Sequence, residues 1–370
     1  MQNEATDKSE RLIVIDFFRG AALLVIFWNH LQWVLKTGFP LRYGLSDAAA
    51  VFIFLSGYVC GMVYWKTYTR HGFRHTLVKA WRRAGQLYLA HLASLIAVVG
   101  ITIITPETDL PQPMIALMAS LKENLLSATL SILTLRYFPP LFDILPFYIV
   151  LMMTVPAILW LIKLDWKILF AISSLLWCVT QITAPLGIEI FPGSWTFNPL
   201  SWLMLFSLAM IIGIKNRENT LFIPVRQPYS AIAVCVVLYA FSDLTTINTL
   251  LQEVGIVTEA MEWLFPSPFP LIGRPTLEPV YLLHFLSLAY LVFMVSPHLR
   301  WLGNDALTKS IALCGQHSLV LFSTGIVLVY LFSTLIIQND FNLWIFFFFE
   351  FLGWTITIAM GALLSRNELR

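Results

Sequence analysis

Long apolar runs alternate with short polar clusters along this chain, and the spacing predicts its elements. A helix rises about 1.5 Å per residue, so crossing a hydrocarbon core of about 30 Å takes about 20 apolar residues. Such runs fall near 12–35, 46–65, 84–104, 144–162, 168–184, 199–214, 228–247, 279–297, 312–336 and 342–363. The expected fold is all-α: a polytopic integral membrane helix bundle of about ten transmembrane helices. It forms one domain over residues 1–370, with a short N-terminal tail at 1–11. The stretch 113–136 is ambiguous. Lys122, Glu123 and Asn124 interrupt it, which reads as an interfacial or re-entrant helix. No internal repeat or low-complexity segment stands out.

Composition agrees with that reading. Hydrophobic residues make up 58% of the 370 and charged residues only 12%, about half the charge of a soluble domain. The first run, from Leu12, is too long for a signal-peptide core and lacks a small-residue cleavage site, so it is expected to stay as an anchor. The four cysteines, Cys60, Cys178, Cys235 and Cys314, all lie in apolar runs without C-x-x-C spacing. A disulfide framework or a thiolate metal site is therefore not expected. No metal is expected, and no nucleic-acid signature is present.

Lysine and arginine set the orientation, because cytoplasmic loops hold their excess. Segments on the side of the N-terminus carry seventeen of the 23 basic residues. These are Lys8 and Arg11, the cluster Lys66, Arg70, Arg74, Lys79, Arg82 and Arg83, then Lys163, Lys167, Lys215, Arg217, Arg226, Arg300, Lys309, Arg366 and Arg370. The opposite side carries five, Lys36, Arg42, Lys122, Arg136 and Arg274, while Arg19 lies inside the first run. Both termini are thus expected in the cytoplasm. Loops on the outer side are acidic and aromatic: Glu107 and Asp109, residues 190–199 around Trp195, and Glu253, Glu259 and Glu262. Two readings stay open for them: solvated loops with interface-anchored Trp, or a surface whose aromatic faces stack on sugar rings.

An ionisable side chain inside a span costs about 2.5–3.5 kcal/mol on insertion scales, so each is a functional candidate. The first run holds Asp16, Arg19 and His30, with Asn29 beside the last. Arg19 and His30 are eleven positions apart, a residual rotation of about 20°, so they share a face about 16 Å apart along the axis. Asp16 lies three positions before Arg19 and can pair with it. An ion pair and a helix–helix hydrogen bond would account for each group singly, but three on one stripe read as functional. Asp47, after Ser46, enters the second run from the outer side at a depth similar to His30. It would either orient His30 and raise its basicity or simply complement the helix dipole in the first turn. Gly57 and Gly61 form a G-x-x-x-G pair, which marks a close helix contact or an approach for a cofactor. His284, near Glu278, reaches a depth comparable to His30, whereas His91 and His317 are expected as hydrogen-bonding groups nearer the inner side. No spacing resembles a zinc site or a P-loop. The basic segment 66–83 also holds His71 and His75; topology alone accounts for its charge, and it would suit an anionic, phosphate-bearing donor as well.

The run Asp16-Phe17-Phe18-Arg19-Gly20, followed by His30, resembles the D-x-x-R-G and R-x(10)-H signature of the transmembrane acyltransferases, acyltransferase family three and its relatives. Within that group, the run from Ser46 through Ser56-Gly57-Tyr58 is similar to the OpgC family. The likeness continues through Arg82-Arg83, Leu87 to His91, Phe142-Asp143-Ile144-Leu145-Pro146, Trp195-Thr196-Phe197-Asn198-Pro199, Leu282 to Leu286 and Cys314 to Leu319. It spans essentially the whole chain. The resemblance implies transfer of an acyl group, often succinyl, from a cytosolic acyl-CoA to a hydroxyl of a glucan or other glycan on the periplasmic side of a bacterial inner membrane. OpgC proteins are associated with succinylation of osmoregulated periplasmic glucans. Carried over residue by residue, His30 matches the motif histidine held to be catalytic and Arg19 the motif arginine held to serve the donor.

Chemistry agrees with this division. A hydroxyl attacks poorly at neutral pH unless a base takes its proton, and neutral imidazole suits that task. His30 is expected as general base, Asp47 as its orienting partner and Arg19 as the donor-side group. Arg82 and Arg83 would hold coenzyme A phosphates. Asp16, Ser56, Tyr58, Asp143, Trp195, Asn198 and His284 complete the expected substrate-binding set, and the bilayer is the remaining partner. The alternative is a transporter or flippase using Asp16, Arg19, His30 and His284 as a substrate or proton pathway.

Overall fold

A computed structural model describes residues 2–35, 45–188, 195–220, 227–242, 275–299, 301–302 and 305–368. Among them there is no strand; the chain is a bundle of helices. In order these are α1 (Gln2–Leu35), α2 (Ala48–Ile104), α3 (Gln112–Glu123), α4 (Leu125–Leu133), α5 (Ile144–Thr183), α6 (Pro199–Arg217), α7 (Gln227–Ser242), α8 (Pro279–Val295), α9 (Ala306–Gln316), α10 (Ser318–Gln338) and α11 (Leu343–Glu368). Of the expected positions, Lys36, Arg42, Arg226, Glu253, Glu259, Glu262, Arg274, Arg300 and Arg370 lie outside the described residues, as do 190–194 and 243–247.

Six helices among the described residues are long and apolar enough to cross a membrane: α1 from Ile13, α2, α5, α6, α10 and α11. The chain is a multi-pass membrane protein. Two of the six are interrupted where the sequence predicts a connection between separate spans. The 57 residues of α2 break at Gly72, whose φ of 76° and ψ of −176° lie in a region only glycine occupies without strain. Its two halves fold back on each other: Lys79 Nζ donates to Thr67 Oγ1 at 2.9 Å, and Thr76 and Ala80 are fully buried. The basic segment 66–83 is therefore helical, an extension of two spans rather than an irregular loop. The 40 residues of α5 break at Asp165, which takes an extended conformation and accepts from the Lys167 amide at 2.9 Å, starting the second half.

Two expectations change. The run 312–336 is not one helix, because His317 leaves helical geometry (φ −100°, ψ 27°) and separates α9 from α10. Asp305 starts α9 six residues ahead of that apolar run by accepting from the Leu307 and Thr308 amides. The stretch 113–136 forms two short helices, α3 and α4, of 12 and 9 residues. Asn124 ends the first and caps the second through the Ser127 amide at 2.9 Å. Each is too short to cross the bilayer.

Large buried aromatics fill the centre, among them Phe52, Phe142, Phe147, Trp202, Phe206 and Tyr330, drawn from α2, α5, α6, α10 and the α4–α5 connection. A second cluster, with Phe27, Leu31, Phe332 and Phe346, joins α1, α10 and α11. The outward faces are as apolar as the inside: Ile96 is 71% exposed and Leu126 71%. Burial order cannot arise from hydrophobicity alone when lipid is the solvent, so close packing must select the contacts. Small residues do this. A Cβ on Gly57 would lie 2.8 Å from the Phe206 carbonyl oxygen, and Gly61 faces Met210 just as closely, so the G-x-x-x-G pair seats α2 on the backbone of α6.

Candidate active site

Gly20 of α1 lies against the Ile311 carbonyl of α9, and Gly315 of α9 lies against the Asp16 carbonyl of α1. Any side chain at either position would strike backbone. This crossing brings the start of α10 beside Arg19. Arg19 Nη2 donates to Ser318 Oγ at 2.8 Å, and Nη1 stands 3.6 Å from Asp16 Oδ1, the predicted (i, i+3) pair. The guanidinium carbon is 5.8 Å from the centre of the Phe52 ring, and Nε is buried with no hydrogen-bond partner.

These groups border a cavity of about 180 Å³ between α1, α2, α5 and α10. Its lining includes Arg19, Ser56, Tyr64, Arg83, Tyr148 and Phe322, and among the described residues contains no carboxylate. A cavity walled by apolar groups and two guanidiniums, Arg19 and Arg83, is suited to an anion. His30 meets the same wall from farther along α1: its ring lies edge-on to Phe322 at 6.3 Å between centres. The predicted stripe on α1 thus faces α10 at both ends, Arg19 through Ser318 and His30 through Phe322.

The remaining expected residues separate into groups. Arg83 is half-buried on the cavity wall, whereas Arg82, one residue earlier and 100° round the helix, is exposed. Tyr58 OH accepts from Asn216 Nδ2 and ties α2 to the end of α6. Asp47 caps α2 through the Ala50 amide at 3.1 Å and accepts from Tyr281 OH at 3.1 Å. Next to it, Ser46 Oγ and His284 Nδ1 are 2.6 Å apart and fully buried, with Nε2 of His284 left without a partner. Two side-chain bonds one turn apart therefore fasten the start of α2 to α8. Asn198 caps α6 through the Leu200 amide at 3.0 Å, and its own amide donates to the Pro275 carbonyl at 2.9 Å. Trp195 packs on Phe138 with centres 4.7 Å apart. Asp143, half-buried, precedes α5 without a side-chain cap.

Of the other histidines, His317 Nε2 lies 3.0 Å from Ser365 Oγ. His91 differs from expectation, for it is fully buried against Phe142 and neither ring nitrogen has a hydrogen-bond partner. Sequence reasoning missed Tyr64, Tyr148, Ser318 and Phe322, since nothing about an aromatic or serine in an apolar run distinguishes a cavity wall from ordinary packing. Glu350 was legible and was missed: it is an acid inside the last run, fully buried with both oxygens unpartnered.

No curated protein and no solved structure matches the chain. A protein-family model described as OpgC protein matches residues 11–368. That match takes in the Asp16–Gly20 motif, the cavity and every helix from α2 to α11, and the chain therefore belongs to the OpgC family of membrane glucan-modifying acyltransferases.

Proposed function

We propose that the protein transfers an acyl group, succinyl in our reading, from a cytosolic acyl-CoA to a hydroxyl of a periplasmic glucan or other glycan. The chain sits in the bacterial inner membrane with both termini inside and about ten passes. The cavity carries this reading: a cation with an unused buried donor, Arg19, shares a wall with the edge of His30. The acyl-CoA enters from the basic side, with Arg83 and Arg19 meeting its anionic groups. The acceptor arrives from the opposite side, near Asp47, His284, Trp195 and Asn198.

His30 takes the proton of the acceptor hydroxyl as its oxygen attacks the thioester carbonyl. The carbon–sulfur bond breaks, the new ester forms, and the proton passes on so that coenzyme A leaves as the thiol. Asp47 is assigned the role of orienting the imidazole. Asp16 keeps Arg19 in place.

The test uses inverted membrane vesicles with radiolabelled succinyl-CoA outside and glucan inside. Wild type labels the glucan, and His30→Ala loses about 10²–10⁴-fold of the rate at unchanged protein level. Full activity in the variant would remove His30 from the chemistry. Detergent-solubilised protein must also transfer the acyl group, since an enzyme needs no sealed compartment; activity only in sealed vesicles would favour transport.

A further inference from the structure

Arg82 has the same charge as Arg83 but a different environment, and its surroundings identify a ligand. The positions Arg74, Val78, Trp81, Arg82, Gly85 and Leu89 recur at helical spacing along the second half of α2 and form one face. That face is open. Val78 is 68% exposed, Trp81 51% and Leu89 67%, and Arg74 and Arg82 are exposed. A Cβ built on Gly85 would meet nothing within 4 Å, so the face carries a notch between Trp81 and Leu89. Farther along the helix it continues as Ile96 and Ile103, 71% and 68% exposed, an apolar wall suited to acyl chains.

The order along the face is Arg74, then Val78, then Trp81 beside Arg82, and purely apolar from Gly85 onward. A bilayer leaflet has the matching order: headgroup phosphate, glycerol and ester region, hydrocarbon. Charge complementarity is one-sided, because α2 holds six Lys and Arg and no Asp or Glu in 57 residues. Nothing within the helix neutralises Arg74 or Arg82.

We propose that this face binds an anionic phospholipid, with Arg82 and Arg74 on the headgroup phosphate, Trp81 at the ester level and an acyl chain in the Gly85 notch. Adjacent arginines then divide the work: Arg83 turns into the bundle, and Arg82 fixes the helical hairpin of α2 to the membrane surface. The assignment does not depend on the acyl-transfer reading.

The experiment titrates detergent-solubilised protein with phosphatidylglycerol and, separately, phosphatidylcholine, reading bound lipid by native mass spectrometry. Wild type should prefer phosphatidylglycerol. Arg82→Gln should bind it about fivefold more weakly, the share of one basic residue near an anionic surface. Arg83→Gln should keep wild-type lipid affinity. Gly85→Phe, which fills the notch without touching charge, should weaken both lipids. No preference in wild type, or equal affinity in Arg82→Gln and wild type, would overturn the proposal. So would loss of coenzyme A binding in Arg82→Gln without anionic lipid, which would return Arg82 to the donor.

Discussion

Arg19 owes its position to two residues that carry no chemistry. Gly20 and Gly315 let the α1 and α9 backbones touch, and this crossing sets Ser318 within hydrogen-bonding distance of the guanidinium. Because the atoms a new side chain would meet are backbone, no rotamer change relieves the clash. Gly315→Val should cost at least about 1–3 kcal/mol, seen as a lowered melting temperature and loss of the monodisperse peak in detergent. A wild-type melting curve for the variant would refute the tight crossing. At the other end of α9, the Thr308 hydroxyl and then the Thr308 and Leu307 amides hold the Asp305 carboxyl below the usual carboxylate range. A depressed folded value means the cap contributes fully above the unfolded value and is lost as pH falls through the folded one. Wild type should therefore lose thermal stability as pH drops below about 4, and Asp305→Asn, which keeps a capping oxygen without titrating, should flatten that part of the curve. Identical pH profiles would exclude the cap as the source. The pairing of Asp16 with Arg19 was legible from an (i, i+3) spacing, as was the shared face of Arg19 and His30. Ser46–His284 was not: 238 positions separate them, and no local rule joins them.

At the scale of elements, the two breaks in α2 and α5 have different physical origins. Gly72 turns α2 through a backbone conformation closed to other residues, while Asp165 uses an extended conformation open to all. Substitution separates the cases. Gly72→Ala meets no steric obstacle, since the space around it is empty, yet should destabilise by about 1–3 kcal/mol through backbone strain alone. Gly85→Ala, also in open space but with helical geometry, should stabilise by about 0.5–1 kcal/mol. Opposite signs in the two melting-temperature shifts are the expected outcome; equal shifts would show that the hairpin does not depend on the Gly72 conformation. The polar interruption at Lys122–Asn124 was visible in the sequence, but that it divides the stretch into two helices was not read from it; Asn124 ends one and caps the next. The break at His317 went unread in the sequence, although Gly315, Gln316, His317 and Ser318 interrupt the apolar pattern there.

At the scale of the whole molecule, the proposed topology puts most of the basic residues on one side of the membrane. In the proposed topology, Lys167, between the halves of α5, lies inside, and Glu107, after α2, lies outside. A membrane-impermeant maleimide should label Glu107→Cys in intact spheroplasts and Lys167→Cys only after permeabilisation, in a background where Cys178 and Cys235 are replaced by serine. Labelling of both from outside would break the even count of passes. The same asymmetry supports opposite entry of donor and acceptor in that topology: Arg19 and Arg83 line the cavity on the proposed donor side.

The hydrophobic pattern alone determined that the chain is helical and built for a bilayer, because only helices satisfy their own backbone there. Charged and polar residues inside those runs singled out α1 as the helix proposed to carry the chemistry, since each such group must be compensated to remain. Which apolar faces meet was left to the tertiary structure. In lipid, a buried leucine and an exposed one are nearly equivalent in hydropathy, so the sequence pattern carries no inside or outside. Backbone contact at Gly20, Gly57, Gly61 and Gly315 made that choice, and the fold of the α2 hairpin decided that Arg83 lines the cavity while Arg82 faces out.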